Sequence, residues 1–188
     1  MANANRPTGL SPVKNGSSPW MGQGNIYSIA ASTAAVFAIG DVVKSSGTAS
    51  ADGYAGIVMA VAGDTVRGVI VGIGTSPTML ANPARLDSTL SVASAAYTQY
   101  ALVVDDPDAV FEVQMATFAL TDVGANADIV VGANNGFVSG TTLSGTSTAL
   151  AATCRILGLV NRIDNEVGAF AKVNVKIMEH ELTTVAGV

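Results

Sequence analysis

The stretch YALVVDDPDAVFEVQMATFAL, residues 100–120, most constrains the fold, because it packs two strand-like runs around a reversal. Its first half, Tyr100 to Val104, is aromatic and β-branched. Its second half alternates, with Ala109, Phe111, Val113 and Met115 on one face and Glu112 and Gln114 on the other. Between them Pro107 presets φ, and Asp105, Asp106 and Asp108 can hydrogen-bond nearby backbone, so the segment reads as a two-stranded unit.

Strands recur along the rest of the chain. Ile26, Tyr27 and Ile29 suggest a short strand, and residues 34–44, around Gly40-Asp41, a mixture of strand and loop. Residues 44–56 read as a Ser/Gly/Ala-rich loop. The runs 57–62 and 66–73 flank Gly63-Asp64-Thr65 and suggest a hairpin. The second run, VRGVIVGI, is apolar on both faces, which places it inside the sheet system or against another subunit. Residues 75–96 read as a long excursion, 128–131 as a short strand, and 132–151 as turn-rich. Residues 153–163 and 169–178 form a further pair, in which Val173, Val175 and Ile177 alternate with Lys172, Asn174 and Lys176. With no convincing amphipathic helix, the expectation is an all-β fold, an antiparallel β-sandwich or barrel. Residues 1–24, broken by Pro7, Pro12 and Pro19 and by four glycines, are expected to be an extended N-terminal arm on a single β domain spanning 25–188.

Charge narrows the possible functions. Only 12% of the 188 residues are charged against 49% apolar, which suggests that other subunits cover much of the surface. The net charge of −5, with no run of Lys or Arg, argues against a nucleic-acid partner. The most apolar stretch, 26–43, is too short and polar to span a bilayer, and the first twenty residues hold no apolar segment of the signal-peptide kind. Cys154 is the only cysteine, so no disulfide framework or thiolate cluster is available, and its apolar neighbours suggest an inert buried thiol.

Motifs that could carry chemistry are weak. Asp105, Asp106 and Asp108 lack the spacing of a calcium loop and read as a turn. Gly68, Gly72 and Gly74 have no Walker lysine after them, so close packing or a bulge explains them better than a phosphate loop. His180, the one histidine, stands between Glu179 and Glu181 and reads as a solvent-exposed residue, with no Gly-x-Ser-x-Gly elbow to pair with it. The expectation is no enzyme activity, no cofactor and no metal.

Taken in order, MANANRPTGLSPVKNG, PWMGQGNIYSI, AIGDVV, VRGVIVGIG, YALVVDDPDAVFEVQ and ILGLVNRIDNEVGAFAKVNVKIMEHEL resemble a family of tailed-bacteriophage capsid decoration, or cement, proteins. The likeness runs nearly end to end and weakens around 45–55, 75–98 and 140–153. It implies a β-rich protein, made in the bacterial host cytoplasm, that binds the outer surface of an icosahedral head as a homotrimer and bridges the major capsid protein. The arm would then supply interface anchors. Arg6, Leu10 and Trp20 are the candidates, since Trp and Arg are enriched at interface hot spots. Another structural virion component, such as a minor head or tail-tube protein, is the alternative. A carbohydrate-binding sandwich is poorer, with only 5% aromatic residues.

Overall fold

The computed structural model describes residues 3–31, 35–81, 97–135 and 137–183, apart from the Met79 side chain. They are nearly all β. The first half holds β1 (Ser11–Asn15), β2 (Ser18–Pro19), β3 (Asn25–Ile29), β4 (Val42–Ala49), β5 (Ala55–Met59), β6 (Gly68–Gly74), a single helical turn α1 (Pro77–Leu80) and β7 (Gln99–Val104). Next come β8 (Ala109–Gln114), β9 (Thr117–Phe118), β10 (Asn126–Ala127), β11 (Ile129–Val130) and β12 (Thr142–Leu143), then β13 (Cys154–Leu159), β14 (Gly168–Ala169) and β15 (Lys172–Ile177). The all-β expectation is met, in a sandwich-like arrangement of antiparallel and mixed sheets, although β3 and β5 run parallel where antiparallel pairing was expected. Strands β3-β5-β4-β6-β7 close a barrel, and β10-β13-β15-β8-β1-β2 form a six-stranded antiparallel sheet.

Alternation along the strands explains how the two halves adhere. Tyr27, Ile29, Val43, Ile57, Ile70, Ile73, Ala101 and Val103 fill the barrel. Their neighbours Val42, Val69, Val71, Tyr100, Leu102 and Val104 point the other way, into one cluster with Phe111, Val113, Cys154, Ile156, Val173 and Val175 of the sheet. Strand β6 is therefore buried on both faces, as its apolar run requires. Each Val or Ile buried this way contributes about 1.5–3 kcal/mol. Gly68 sits where an added Cβ would collide with the Val104 carbonyl oxygen, and Gly72 marks a register shift against β7, so both glycines serve packing.

The C-terminal pair is borne out: β13 and β15 are antiparallel neighbours, and Val173, Val175 and Ile177 are buried while Lys172, Asn174 and Lys176 are half-exposed.

Four expectations change. First, β7 and β8 do not pair with each other. Strand β7 lies between β3 and β6 in the barrel, whereas β8 lies between β15 and β1 in the sheet. Both sides of each are taken, so residues 105–108 form the crossover between the two halves. Second, β5 and β6 are separated by β4, so 57–62 and 66–73 form no hairpin. Third, β4 runs on to Ala49 through a stretch read as loop, because Ser45, Ser46 and Thr48 face its half-exposed outer end. Fourth, the arm is built into the fold. Strand β1 pairs with β8 from Ser11↔Glu112 to Asn15↔Ala109, and Leu10 is only 1% exposed within the main core. An extended chain rich in proline can still join a sheet near its edge, with its one shift of register between Pro12 and Lys14. Of the 75–96 excursion, residues 82–96 lie outside the described residues.

Candidate functional site

The acidic turn sends its three aspartates to three different partners. Asp106 Oδ1 accepts from the Asp108 amide (2.7 Å), and its carbonyl accepts from the Ala109 amide (3.0 Å), closing the turn. Asp108 Oδ1 pairs with Lys176 Nζ at 2.5 Å, which holds its carboxyl below the usual range. Asp105 turns inward. Its carboxylate accepts from the Tyr27 hydroxyl (2.5 Å) and from Asn25 Nδ2 (2.9 Å), and Arg67 Nε stands 3.9 Å away. Among the described residues no three His, Cys, Asp or Glu side chains are grouped to hold a metal ion.

Arg67 extends this network. Its Nε donates to the Tyr27 hydroxyl (2.7 Å), its guanidinium lies 5.2 Å from the centre of the Tyr27 ring, and Nη1 is 3.8 Å from Glu181 Oε2. Glu181 in turn accepts from the Ser45 amide (2.7 Å) and hydroxyl (2.5 Å). Burial and the Asp105 hydrogen bond push the Tyr27 phenol up to about 12. The network ties β3, β4 and the β6 entrance to the crossover and to the chain after β15.

His180 is buried, not exposed: its relative accessibility is 1%. The cause is long-range. Val66 donates its amide to the Glu179 carbonyl (2.7 Å) and accepts from the Glu181 amide (2.9 Å), drawing residues 179–181 under the barrel. His180 Nδ1 accepts from the Leu182 amide at 3.1 Å, and Nε2 is buried without a hydrogen-bond partner. Burial lowers its pKa and Arg67 lowers it further, against the opposing pull of Asp105, Glu181 and Asp106. The unfolded chain therefore takes up this proton first. The stability contribution is intact above the ordinary histidine pKa of about 6.5 and is lost as pH falls from there toward the folded value. Burial raises the carboxyls of Asp41 and Glu179, which act in the opposite sense. The expected result is therefore a difference: the stability gap between wild type and His180→Asn, measured by urea denaturation, narrows between about pH 7.5 and about pH 5.5. A gap independent of pH would contradict the sign worked out here.

Cys154 is fully buried and its thiol is pushed up to about 12, mainly by burial, as an inert core sulfur requires.

The three candidate anchors are in different situations. Leu10 belongs to the chain's own core and is not available to a partner. Trp20 is half-buried against that core, and its Nε1 donates to the Gln23 carbonyl at 2.9 Å. Arg6 is exposed, while its main chain is fixed: its amide donates to Oε1 of the buried Gln114 (2.8 Å), whose Nε2 donates to Asn5 Oδ1 (2.8 Å). Asn3 is fixed as well, donating to the Glu166 and Ala169 carbonyls and accepting from the Glu166 amide. Asn3, Ala4 and Arg6 thus border a cavity of about 360 Å³ whose other walls are Arg162, Asp164, Asn165, Phe170 and Lys172. Sequence reasoning had no route to this group, since its members are assembled across the whole length of the chain. A larger, more apolar hollow of about 660 Å³ lies along residues 21–26 beside Tyr54, Leu80 and Leu102.

Large apolar side chains also remain outside. Leu120 (70% exposed), Leu150 (76%), Val123 and Leu157 are brought to the β10 edge of the sheet. The links are the Gly124 amide on the Ile156 carbonyl, the Asn126↔Thr148 bridge and Asn126 Nδ2 on the Leu150 carbonyl. Among the described residues no helix is long and apolar enough to cross a membrane.

No family model, no curated protein and no solved structure matches this chain.

Proposed function

We propose that this chain is a structural virion protein that decorates and stabilises the outside of an icosahedral phage head, bridging subunits of the major capsid protein as a homotrimer. The observation that carries this reading is the surplus of apolar surface. Leu120, Val123, Leu150 and Leu157 lie exposed at one sheet edge although the barrel and the intersheet core are already filled. A lone monomer gains nothing from such an edge, whereas an assembling subunit buries it. The low charge of the chain and the ordered set of segments that resemble cement proteins support the same reading. Many copies on one lattice turn modest contacts into a stable shell. The reading assigns no catalytic step and no cofactor.

Light scattering on the purified protein is expected to give the mass of a trimer, and the protein added to undecorated heads is expected to sediment with them. Leu120→Asp with Leu150→Asp, both on exposed side chains, is expected to abolish one or both associations while leaving the far-ultraviolet circular dichroism unchanged. A ring of six would favour a tail-tube component instead. Persistence as a monomer that ignores heads would overturn the reading.

A further inference from the structure

We propose that the cavity beside residues 3–6 is a receptor for a carboxylate side chain presented by a protein partner. The inference rests on the decoration reading for the identity of that partner, but the receptor itself follows from the charges and the backbone. Three of the chain's nine Lys and Arg residues, Arg6, Arg162 and Lys172, line this one cavity of about 360 Å³ in a protein of net charge −5. Glu112 is shared by two of them, 2.6 Å from Arg162 Nη2 and 3.4 Å from Lys172 Nζ. Asp164 is the other acid, 3.9 Å from Arg162 Nε and 76% exposed. Among the described residues the Arg6 guanidinium has no ion-pair or hydrogen-bond partner. The backbone that carries it is held in place, because the Gln114 side chain bonds the Arg6 amide and the Asn5 side chain, and the Asn3 side chain is bonded three times to residues 166–169. An unneutralised guanidinium on a fixed stretch of backbone is free to take an anionic partner, and the main chain needs no ordering when one binds.

The backbone supplies a second, independent observation. Phe170, which lines the cavity, has φ +59°, the sole positive φ outside glycine among the described residues. A bulky residue in that region costs about 1–3 kcal/mol and persists where the surroundings impose it, most often at binding sites. Here the β9–β14 pair and the Phe170 amide bonded to the Ala116 carbonyl (3.0 Å) impose it, in the wall that Phe170 shares with Asn3. Planar guanidinium and ammonium together suit a planar carboxylate, which takes a bidentate pair from arginine.

The test is a titration of the full-length protein with a short glutamate-rich peptide, followed by NMR at the Arg6 Nε–H and the Phe170 and Lys172 amides. Saturable shifts at all three are expected, weakened at least about tenfold in Arg6→Ala. Because the Arg6 amide is retained, the melting temperature of that variant is expected to stay unchanged. Arg6→Lys, which keeps the charge but not the fork, is expected to recover part of the affinity. Inorganic phosphate is the second arm. If phosphate saturates the site and the peptide does not, or if peptide shifts are the same in Arg6→Ala, the proposal is overturned. Head co-sedimentation separates the two readings: peptide binding without head binding leaves the receptor standing and removes the decoration role. Heads that bind wild type and Arg6→Ala equally well keep the decoration role and refute the receptor as the lattice contact.

Discussion

Removal of residues 1–24 is expected to unfold the protein. The segment forms β1 and β2 and contributes Leu10 to the main core. Burying a leucine to 1% exposure makes its removal worth about 2–5 kcal/mol by itself. Deletion also strips the ladder from one side of β8 and leaves the buried Gln114 amide without Asn5 and Arg6. Leaving a buried polar group unpaired costs about 1–3 kcal/mol more. Together these losses approach the whole stability of a typical domain, about 5–15 kcal/mol. Circular dichroism of the truncated chain should show no cooperative transition, and Leu10→Ala alone should lower the urea midpoint clearly. If the truncated protein melts within a few degrees of the full chain, β1 is a passive strand and its place in the core means nothing energetically. The same result bears on function: attachment to heads cannot be probed by cutting off the arm, only by changing exposed side chains such as Arg6.

What the chain reveals before folding depends on the range of the interaction. Strand interiors were legible because period-two alternation is local: residues 172–177 show it plainly, and their burial follows it residue by residue. The doubly apolar run at 66–73 likewise announced a strand covered on both faces. Strand partners were not legible. Hydrophobic patterning says which face of β7 is buried, but not that β3 and β6 occupy its two edges and send β8 to another sheet. His180 misled for a related reason. Its flanking glutamates suggest solvent, yet the contacts that bury it come from Val66, far away in sequence. Of the site residues, Arg6 could be picked out by type. Its companions Arg162, Phe170 and Lys172 could not, because a turn between β13 and β15 meets the N-terminal segment only in the folded chain. One sign is local: Arg67 is the lone charge in an apolar run, and such a charge needs a buried partner.

That partner is Asp105, and its replacement carries the second large effect. In Asp105→Ala the Tyr27 hydroxyl, Asn25 Nδ2 and the Arg67 guanidinium all lose their shared acceptor at once. The side chains of Arg67 and Asp105 are only 23% and 9% exposed, so water replaces the lost contacts poorly. Removing one member of a buried ion pair costs about 3–5 kcal/mol, chiefly through the charge left behind. For a chain of this size that corresponds to a fall in melting temperature of roughly 10 °C. Asp105→Asn, which keeps one carbonyl acceptor, should fall by less. The decisive comparison is with Arg67→Met. If the pair acts as a unit, the double variant Arg67→Met/Asp105→Ala is less destabilised than the sum of the two single changes, because the contact between the two side chains is lost only once. Strict additivity would mean that Asp105 stabilises the crossover through Tyr27 and Asn25 alone, with Arg67 bound instead to Glu181.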